Sequence, residues 1–381
     1  MFPENKAENP LFGKDFLKSW YLSDDEIKSV VNAAERLSAL YKNGYSVKTF
    51  ESGAAVLITN SGREAGMELA AQFGSALSGL SLCEKSGRDF GNSATLATLL
   101  AANCADVVAV RDCEYVGKSS GYMRRLAACV KESSAGGRKP CVINLGSDED
   151  SPIQTLSDLG FMARRFGGME QLAGRRVAVT WAYAPEVRTS VAVPQGLISL
   201  LTRFGMNVVL AHPEGYELSP NACERAEENA KASGGSFGHV LTMEEAVRDA
   251  EIIYPINWAP YSFLEKRTEF YEAHRAASIE LLESELREQN EQYKDWECTE
   301  ETLEHAASDA VLMHCLPAQV TDVTCVRGEM TAQVYNANLS TLSAQAANRA
   351  FTFAAAALLS CSSDPETVLN SLGECETPRI Q

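Results

Sequence analysis

The sequence lacks the marks of most membrane, metal and cofactor proteins. No apolar run of about 18 residues occurs in its 381, so no segment reads as a membrane-spanning helix. Met1 to Trp20 is interrupted throughout by charges and prolines, unlike the apolar core of a signal peptide. The eleven cysteines form no CxxC pair and no Cys/His cluster. That excludes the usual disulfide framework or zinc site and implies reduced thiols in a cytoplasmic setting, with no metal and no cofactor. No GxGxxG closes a strand and opens a helix, and no P-loop is present, so the common dinucleotide and nucleotide cradles are missing. Basic charge is also scarce: 34 Lys and Arg stand against 51 Asp and Glu, a formal net charge of −17. Nucleic acid and anionic membranes need a basic surface, so neither is expected as a partner. A small anionic substrate is still allowed, because a few arginines and helix N-termini can focus positive potential in a cleft.

What is present is a long, alternating α/β pattern. A chain of 381 residues with 45% apolar content can bury two cores, and its length favours two domains. In the second half, Arg175 to Trp181 reads as a strand, Pro194 to Phe204 as a helix, Asn207 to Ala211 as a strand and Pro220 to Ser233 as a helix. Thr242-Met243-Glu244-Glu245 is a capping-box signature, followed by strands at Glu251 to Ile256 and Val311 to Cys315. The first half alternates more faintly, with strands at Ser46 to Thr49, Ala54 to Thr59, Val107 to Val110 and Cys141 to Asn144 and a helix near Glu64 to Ser78. The predicted fold class is α/β, with two doubly wound parallel-sheet domains and right-handed crossovers. Ile153 to Phe166 has helical spacing and lies between the two sets, Ala346 to Leu359 reads as a helix returning to the first domain, and the tail after Ser360 reads as polar and frayed.

The motif richest in chemistry is Met313-His314-Cys315-Leu316-Pro317-Ala318, which follows an apolar stretch and ends in a strand-breaking proline. Open α/β sheets place ligand-binding groups at such strand ends. Taken alone, the same residues also read as a core strand, with Cys315 a small buried hydrophobe and His314 satisfying a core hydrogen bond. The acidic clusters, such as Glu224, Glu227 and Glu228, lie on polar helical faces and read as solvated.

From about Lys14 to Leu359 the chain resembles the aspartate/ornithine carbamoyltransferase superfamily, and within it the YgeW-type knotted branch. The passages carrying this include His314-Cys315-Leu316-Pro317, Phe50-Glu51-Ser52-Gly53, Val179-Thr180-Trp181-Ala182-Tyr183, Ser190-Val191-Ala192-Val193-Pro194-Gln195-Gly196, Leu210-Ala211-His212-Pro213-Glu214-Gly215-Tyr216 and Trp258-Ala259-Pro260-Tyr261. The resemblance implies a carbamoyl-phosphate-binding domain at 1–160 plus 341–365, an amino-substrate-binding domain at 161–340 and a polar tail at 366–381. It further implies a homotrimer with sites at subunit boundaries, and a shallow trefoil knot in the second domain where the loop after Trp181 is threaded.

Family chemistry is direct amine attack on carbamoyl phosphate, which needs positive groups on the phosphate, donors to the carbonyl oxygen and an amine at near-attack distance. By resemblance, Ser61, Gly62 and Arg63 match the phosphate-binding loop and Arg111 the arginine bridging phosphate and carbonyl. Gln154 matches the glutamine near the carbamoyl amide, Cys315 and Leu316 the wall beside it, and Arg349 the basic residue on the returning helix. Lys85 lies where a neighbouring subunit's loop would reach in, and His314 falls around the amino substrate, as do Trp181 and Trp258, which read equally as packing residues. Two departures stand out. The family loop Ser-Thr-Arg-Thr-Arg is Ser61-Gly62-Arg63-Glu64-Ala65 here, and the histidine of His-Pro-x-Gln is Ser151. Losing one preorganised donor of that kind costs roughly 10²–10³ in rate. Two functions therefore follow from the resemblance: transfer of a carbamoyl group to a small amino acid or ureido compound, or a catalytically impaired paralogue acting as a binding or regulatory subunit.

Overall fold

A computed structural model describes residues 9–60, 66–86, 92–134, 139–187 and 190–380. Two parallel sheets organise it. The first holds β1 (Gly53–Thr59), β2 (Leu80–Ser86), β3 (Val107–Arg111) and β4 (Cys141–Gly146) in the order β2-β1-β3-β4. The second holds β5 (Arg176–Trp181), β6 (Asn207–Ala211), β7 (Ser236–Val240), β8 (Ile252–Ile256) and β9 (Val311–Leu312) in the order β7-β6-β5-β8-β9. The helices are α1 (Asp24–Lys42), α2 (Gly66–Ser78), α3 (Ser93–Ala102), α4 (Ser119–Ser133), α5 (Pro152–Phe166), α6 (Ala192–Arg203), α7 (Pro220–Ser233), α8 (Met243–Val247), α9 (Tyr261–Glu272), α10 (Ala276–Asn290), α11 (Glu300–Glu304), α12 (Ala332–Ala337), α13 (Leu339–Cys361) and α14 (Pro365–Cys375). The expected pair of parallel α/β domains is what the chain forms.

The central strands explain themselves. Every residue of β3 and β8 is buried, as a parallel strand covered by helices on both faces requires; β8 reads as an apolar run, and so does β3 up to its last residue, Arg111. In the first sheet the chain steps from β1 to β2 and then to β3 on the other side of β1. In the second it steps from β5 through β6 to β7, then to β8 on the other side of β5. Each sheet therefore has a switch point, at β1/β3 and at β5/β8, and the crevice outside the carboxyl ends there is where such folds bind ligands.

Helix α5 joins the two halves. Pro152 occupies its first turn, where a missing N–H costs nothing, and Gly167 ends it at φ +90°, a conformation that suits glycine. It packs against α1, α6 and α13 and is buried at nearly every position from Pro152 to Ala163. The long α13 lies against α1, α2 and α5, closing the first half.

Three elements differ from the sequence expectation. Ser46 to Thr49 is not a strand; its first N–H donates to Thr377 O at 2.8 Å, and Tyr45 bridges Pro378. The tail is consequently ordered rather than frayed: Asp364 caps α14, Leu369 is buried, and Arg36 pairs with Glu366 at 2.7 Å. The strand expected to reach Cys315 stops at Leu312: Met313 N–H still donates to Ile253 O at 2.9 Å, but the His314 and Leu316 N–H groups bond to the side chains of Gln345 and His314 instead of a neighbouring strand. Strand β2 carries no readable pattern, since as an edge strand it exposes Ser81, Cys83, Glu84 and Lys85. No helix among the described residues is long and apolar enough to cross a membrane.

Candidate active site

The carboxyl end of β3 delivers Arg111. A register shift between Val110 and Arg111 sets it opposite Gly146, and its side chain is only 3% exposed. Its Nη1 donates to Glu68 Oε1 at 3.0 Å, from the first turn of α2. Gly146 leaves the room this needs: a Cβ there would lie 2.8 Å from Cys113 Sγ and 3.7 Å from Arg111 Cγ. Arg111, Cys113, Ser151, Gln154, Cys315 and Leu316 wall one small cavity of about 30 Å3, the room of a single water, which Ser190 just before α6 and Val193 in its first turn also line. Residues far apart in sequence, from both sheets, therefore converge at the β1/β3 switch point.

Gln154 is fully buried at the start of α5, and its Nε2 donates to both oxygens of Asp158, each at 2.9 Å. Its Oε1 has no partner among the described residues. Asp158 also accepts from Gln345 Nε2 at 2.6 Å and from the Tyr254 hydroxyl at 2.9 Å. Burial raises the Asp158 pKa, and the three side-chain donors oppose that rise. Burial and the neighbouring Asp158 push the Tyr254 phenol well up.

Gln345 carries this network to the motif after β9. Its Oε1 accepts from the His314 N–H at 2.9 Å. The His314 Nδ1 accepts from Leu316 N–H at 2.9 Å, which puts the ring proton on Nε2, 3.3 Å from Glu329 Oε2. Glu329 is itself buried and accepts from the N–H groups of Asn257 and Gln319 at 2.8 and 2.7 Å. His314 thus shapes the turn rather than lining the cavity. The turn aims Leu316 O at Gly66, where an added Cβ would lie only 2.4 Å from it, and Arg349 Nη1 donates to the same oxygen at 3.4 Å.

Trp181 and Trp258 are packed into the hydrophobic core. Both are buried, and their indole N–H groups are spent on Trp258 O and Tyr216 O, each at 2.9 Å. Lys85 is exposed near the end of β2 and is not among the residues that line the cavity. Ser61, Gly62 and Arg63, with Glu64, Ala65 and Arg188, lie outside the described residues. Ser151 donates to Leu145 O at 2.8 Å and is 2% exposed, so its hydroxyl is committed to the β4 end. The sequence reading passed over Glu68, Cys113, Asp158, Tyr254, Gln345 and Glu329. Only Asp158 had a local signal, four residues after Gln154 on one helical face. Among the described residues, no group of three or more His, Cys, Asp or Glu side chains could hold a metal ion.

The loop leading into α5 brings a further buried carboxylate. Asp150 accepts from Ser19 N–H at 2.6 Å, and Gly196 of α6 approaches so closely that a Cβ there would lie 2.4 Å from Asp150 Oδ1. Burial pushes the Asp150 pKa up to about 6. A raised carboxyl pKa means the folded state holds its proton more tightly than the unfolded chain does. The associated stability is present below the ordinary carboxylate pKa near 4 and is lost as pH rises through about 6. Asp150→Asn keeps an acceptor for Ser19 and removes the charge, so it is expected to be the more stable form at pH 7, by ~2–3 kcal/mol, with the gain vanishing near pH 4. Thermal melts of both forms across that range decide it, and a gain independent of pH overturns the assignment.

Residues 187–361 match the sequence profile described as "Aspartate/ornithine carbamoyltransferase, Asp/Orn binding domain". The protein named "Putative carbamoyltransferase YgeW" of Escherichia coli (strain K12) is 40% identical over 341 residues, covering 87% of this chain and 85% of that one. Among solved structures, the ornithine carbamoyltransferase of Pyrococcus furiosus superposes with a TM-score of 0.72 at 24% identity, covering 92% of this chain and 97% of that one. A mutant N-acetyl-L-ornithine transcarbamylase, complexed with carbamyl phosphate and N-succinyl-L-norvaline, gives 0.71 at 20% identity, with 90% and 98% covered. At those identities the two structures speak for the fold.

Proposed function

The chain belongs to the aspartate/ornithine carbamoyltransferase family, and from that premise we propose that it transfers a carbamoyl group from carbamoyl phosphate to the amine of a small amino acid or ureido compound. The observation that carries this is the convergence of Arg111, Gln154, Cys315 and Leu316 on one cavity at the β1/β3 switch point. The Arg111 guanidinium offers donors to a phosphoryl and a carbonyl oxygen together. Gln154 Oε1 and Leu316 O are acceptors suited to a carbamoyl NH2. The amine nitrogen attacks the carbonyl carbon, a C–N bond forms, the C–O bond to phosphate breaks, and phosphate leaves with the electron pair while the amine gives up a proton. No covalent nucleophile is needed, so Cys315 acts as wall. Ser61, Gly62, Arg63 and Arg349 complete the phosphate end. The small cavity means the walls must part to admit the donor.

Residues 1–160 with 341–365 form the donor half, 161–340 the amine half, and 366–381 the tail. The loop after Trp181 is the threaded segment of a shallow knot, supported by Tyr183 N–H donating to Trp296 O and Asn257 Nδ2 donating to Ala182 O, each at 2.7 Å. The eleven cysteines, none of them in a CxxC pair, fit a cytoplasmic protein. A homotrimer is supported by an open apolar groove of about 670 Å3 beside the site, where Leu69 and Phe73 of α2 and Val323 are exposed. In that trimer the neighbouring subunit's Lys85 would complete the site. Phe73→Glu is expected to convert the trimer into smaller species by light scattering, and an unchanged mass sinks the assignment of that face.

A second reading, an impaired paralogue acting as a binding or regulatory subunit, is favoured by two observations: Arg111 is already engaged by Glu68, and Ser151 stands in for the family histidine. A calorimetric titration with carbamoyl phosphate, competed with inorganic phosphate, separates the two. Micromolar binding supports the transferase, and no heat from a folded oligomer leaves the second reading.

A further inference from the structure

We propose that Asp158 is the positioning residue that makes the site read a carbamoyl amide, by pinning the Gln154 amide with its oxygen toward the cavity. The inference rests on the carbamoyl-phosphate reading above and deepens it.

A glutamine amide has a donor end and an acceptor end of nearly the same shape, so by itself Gln154 could present either to a ligand. Here its NH2 is held by both oxygens of a fully buried carboxylate, at 2.9 Å each. The acceptor Oε1 is left buried and without a partner among the described residues, in a side chain that walls the cavity. A buried orphan acceptor asks for a donor. A carbamoyl group supplies one from its NH2, whereas the methyl of an acetyl group does not.

A carboxylate is the right group for this task because it only accepts. Gln154, Gln345 and Tyr254 all aim donors at Asp158, from α5, α13 and β8. An asparagine in its place would turn an NH2 toward at least one of them, and the Gln154 amide could escape that conflict by flipping. The same carboxylate reaches the second acceptor. Gln345 bonds Asp158 through Nε2 and the His314 N–H through Oε1, so the His314 to Leu316 main chain is held in the same frame as Gln154. Asp158 acts through Gln154 and Gln345 and does not line the cavity.

The test is calorimetric titration of the full-length protein with carbamoyl phosphate, acetyl phosphate and inorganic phosphate. The native protein is expected to prefer carbamoyl over acetyl phosphate. Asp158→Asn and Gln154→Ala are each expected to cut that preference by about tenfold, the worth of one well-made hydrogen bond to a buried group, while inorganic phosphate binds as before. Retained phosphate binding reports an intact site, which a general structural defect would not leave. If Asp158→Asn fails to fold, Gln345→Leu decides instead: it keeps the carboxylate but frees the His314 main chain, and a several-fold loss of the same preference is expected. A native protein that prefers carbamoyl phosphate, with an equal preference in Asp158→Asn or in the Gln345→Leu substitute, overturns the positioning role alone. A native protein that binds neither acyl phosphate overturns the donor reading and this inference with it.

Discussion

Arg111→Ala is expected to remove measurable carbamoyl phosphate binding and to lower the transfer rate by about 10²–10³-fold. The guanidinium sits at the strand end that walls the cavity, nearly free of solvent, and a charge-assisted bond there is far stronger than one in water. Arg111→Lys should recover only part of the loss, since an ammonium is a point donor and cannot span two oxygens as the planar fork does. Stability will also move, because removing one partner of a buried pair costs about 3–5 kcal/mol. Glu68→Gln separates the two effects. It leaves the arginine in place, relieves it of a competing carboxylate 3.0 Å away, and should bind carbamoyl phosphate more tightly than the native protein. Paired titrations and melts of these variants provide the check. A folded Arg111→Ala protein that still binds the donor like the native one would falsify the role given to this arginine.

Gly66→Ala should do comparable damage by one methyl group. Its Cβ would come 2.4 Å from Leu316 O and 2.8 Å from Arg349 Nη1. An arginine tip can swing aside; a backbone oxygen held between the Gln345-anchored His314 and a proline cannot do so cheaply. Either the start of α2 or the Leu316 turn must shift. Overpacking of this kind costs about 1–3 kcal/mol, and displacing a reacting group by ~1 Å can cost 10²-fold in rate. The expected result is a lower melting temperature together with a donor affinity at least tenfold weaker than native. Native values for both would show that this wall yields easily and that the Leu316 carbonyl is not fixed where ligand recognition needs it.

Both predictions turn on contacts between residues distant in sequence, and that marks the limit of reading the chain alone. Strands such as Val177 to Trp181 and Ile252 to Ile256 were legible because both faces of a parallel strand are buried and the composition records it. Edge strand β2 was not, since a solvated edge has no such pattern, and α14 was hidden because its one fully buried leucine leaves a mostly polar segment. Arg111, Gln154, Cys315 and Leu316 could be singled out by motif, and they do share a cavity. Trp181, Trp258 and His314 could be singled out too, yet their polar atoms are turned to backbone and buried partners instead.

The sequence by itself determined the two-sheet α/β class, the place of the interdomain helix and the residues at the strand ends, because hydrophobic period, caps and short motifs are local properties. Only the tertiary structure decided that Glu68 meets Arg111, that Asp158 gathers donors from β8 and α13 besides Gln154 on its own helix, and that Gly66 lies against Leu316 O. Those pairs lie 43, 96, 187 and 250 positions apart, and nothing short of the folded packing brings them together.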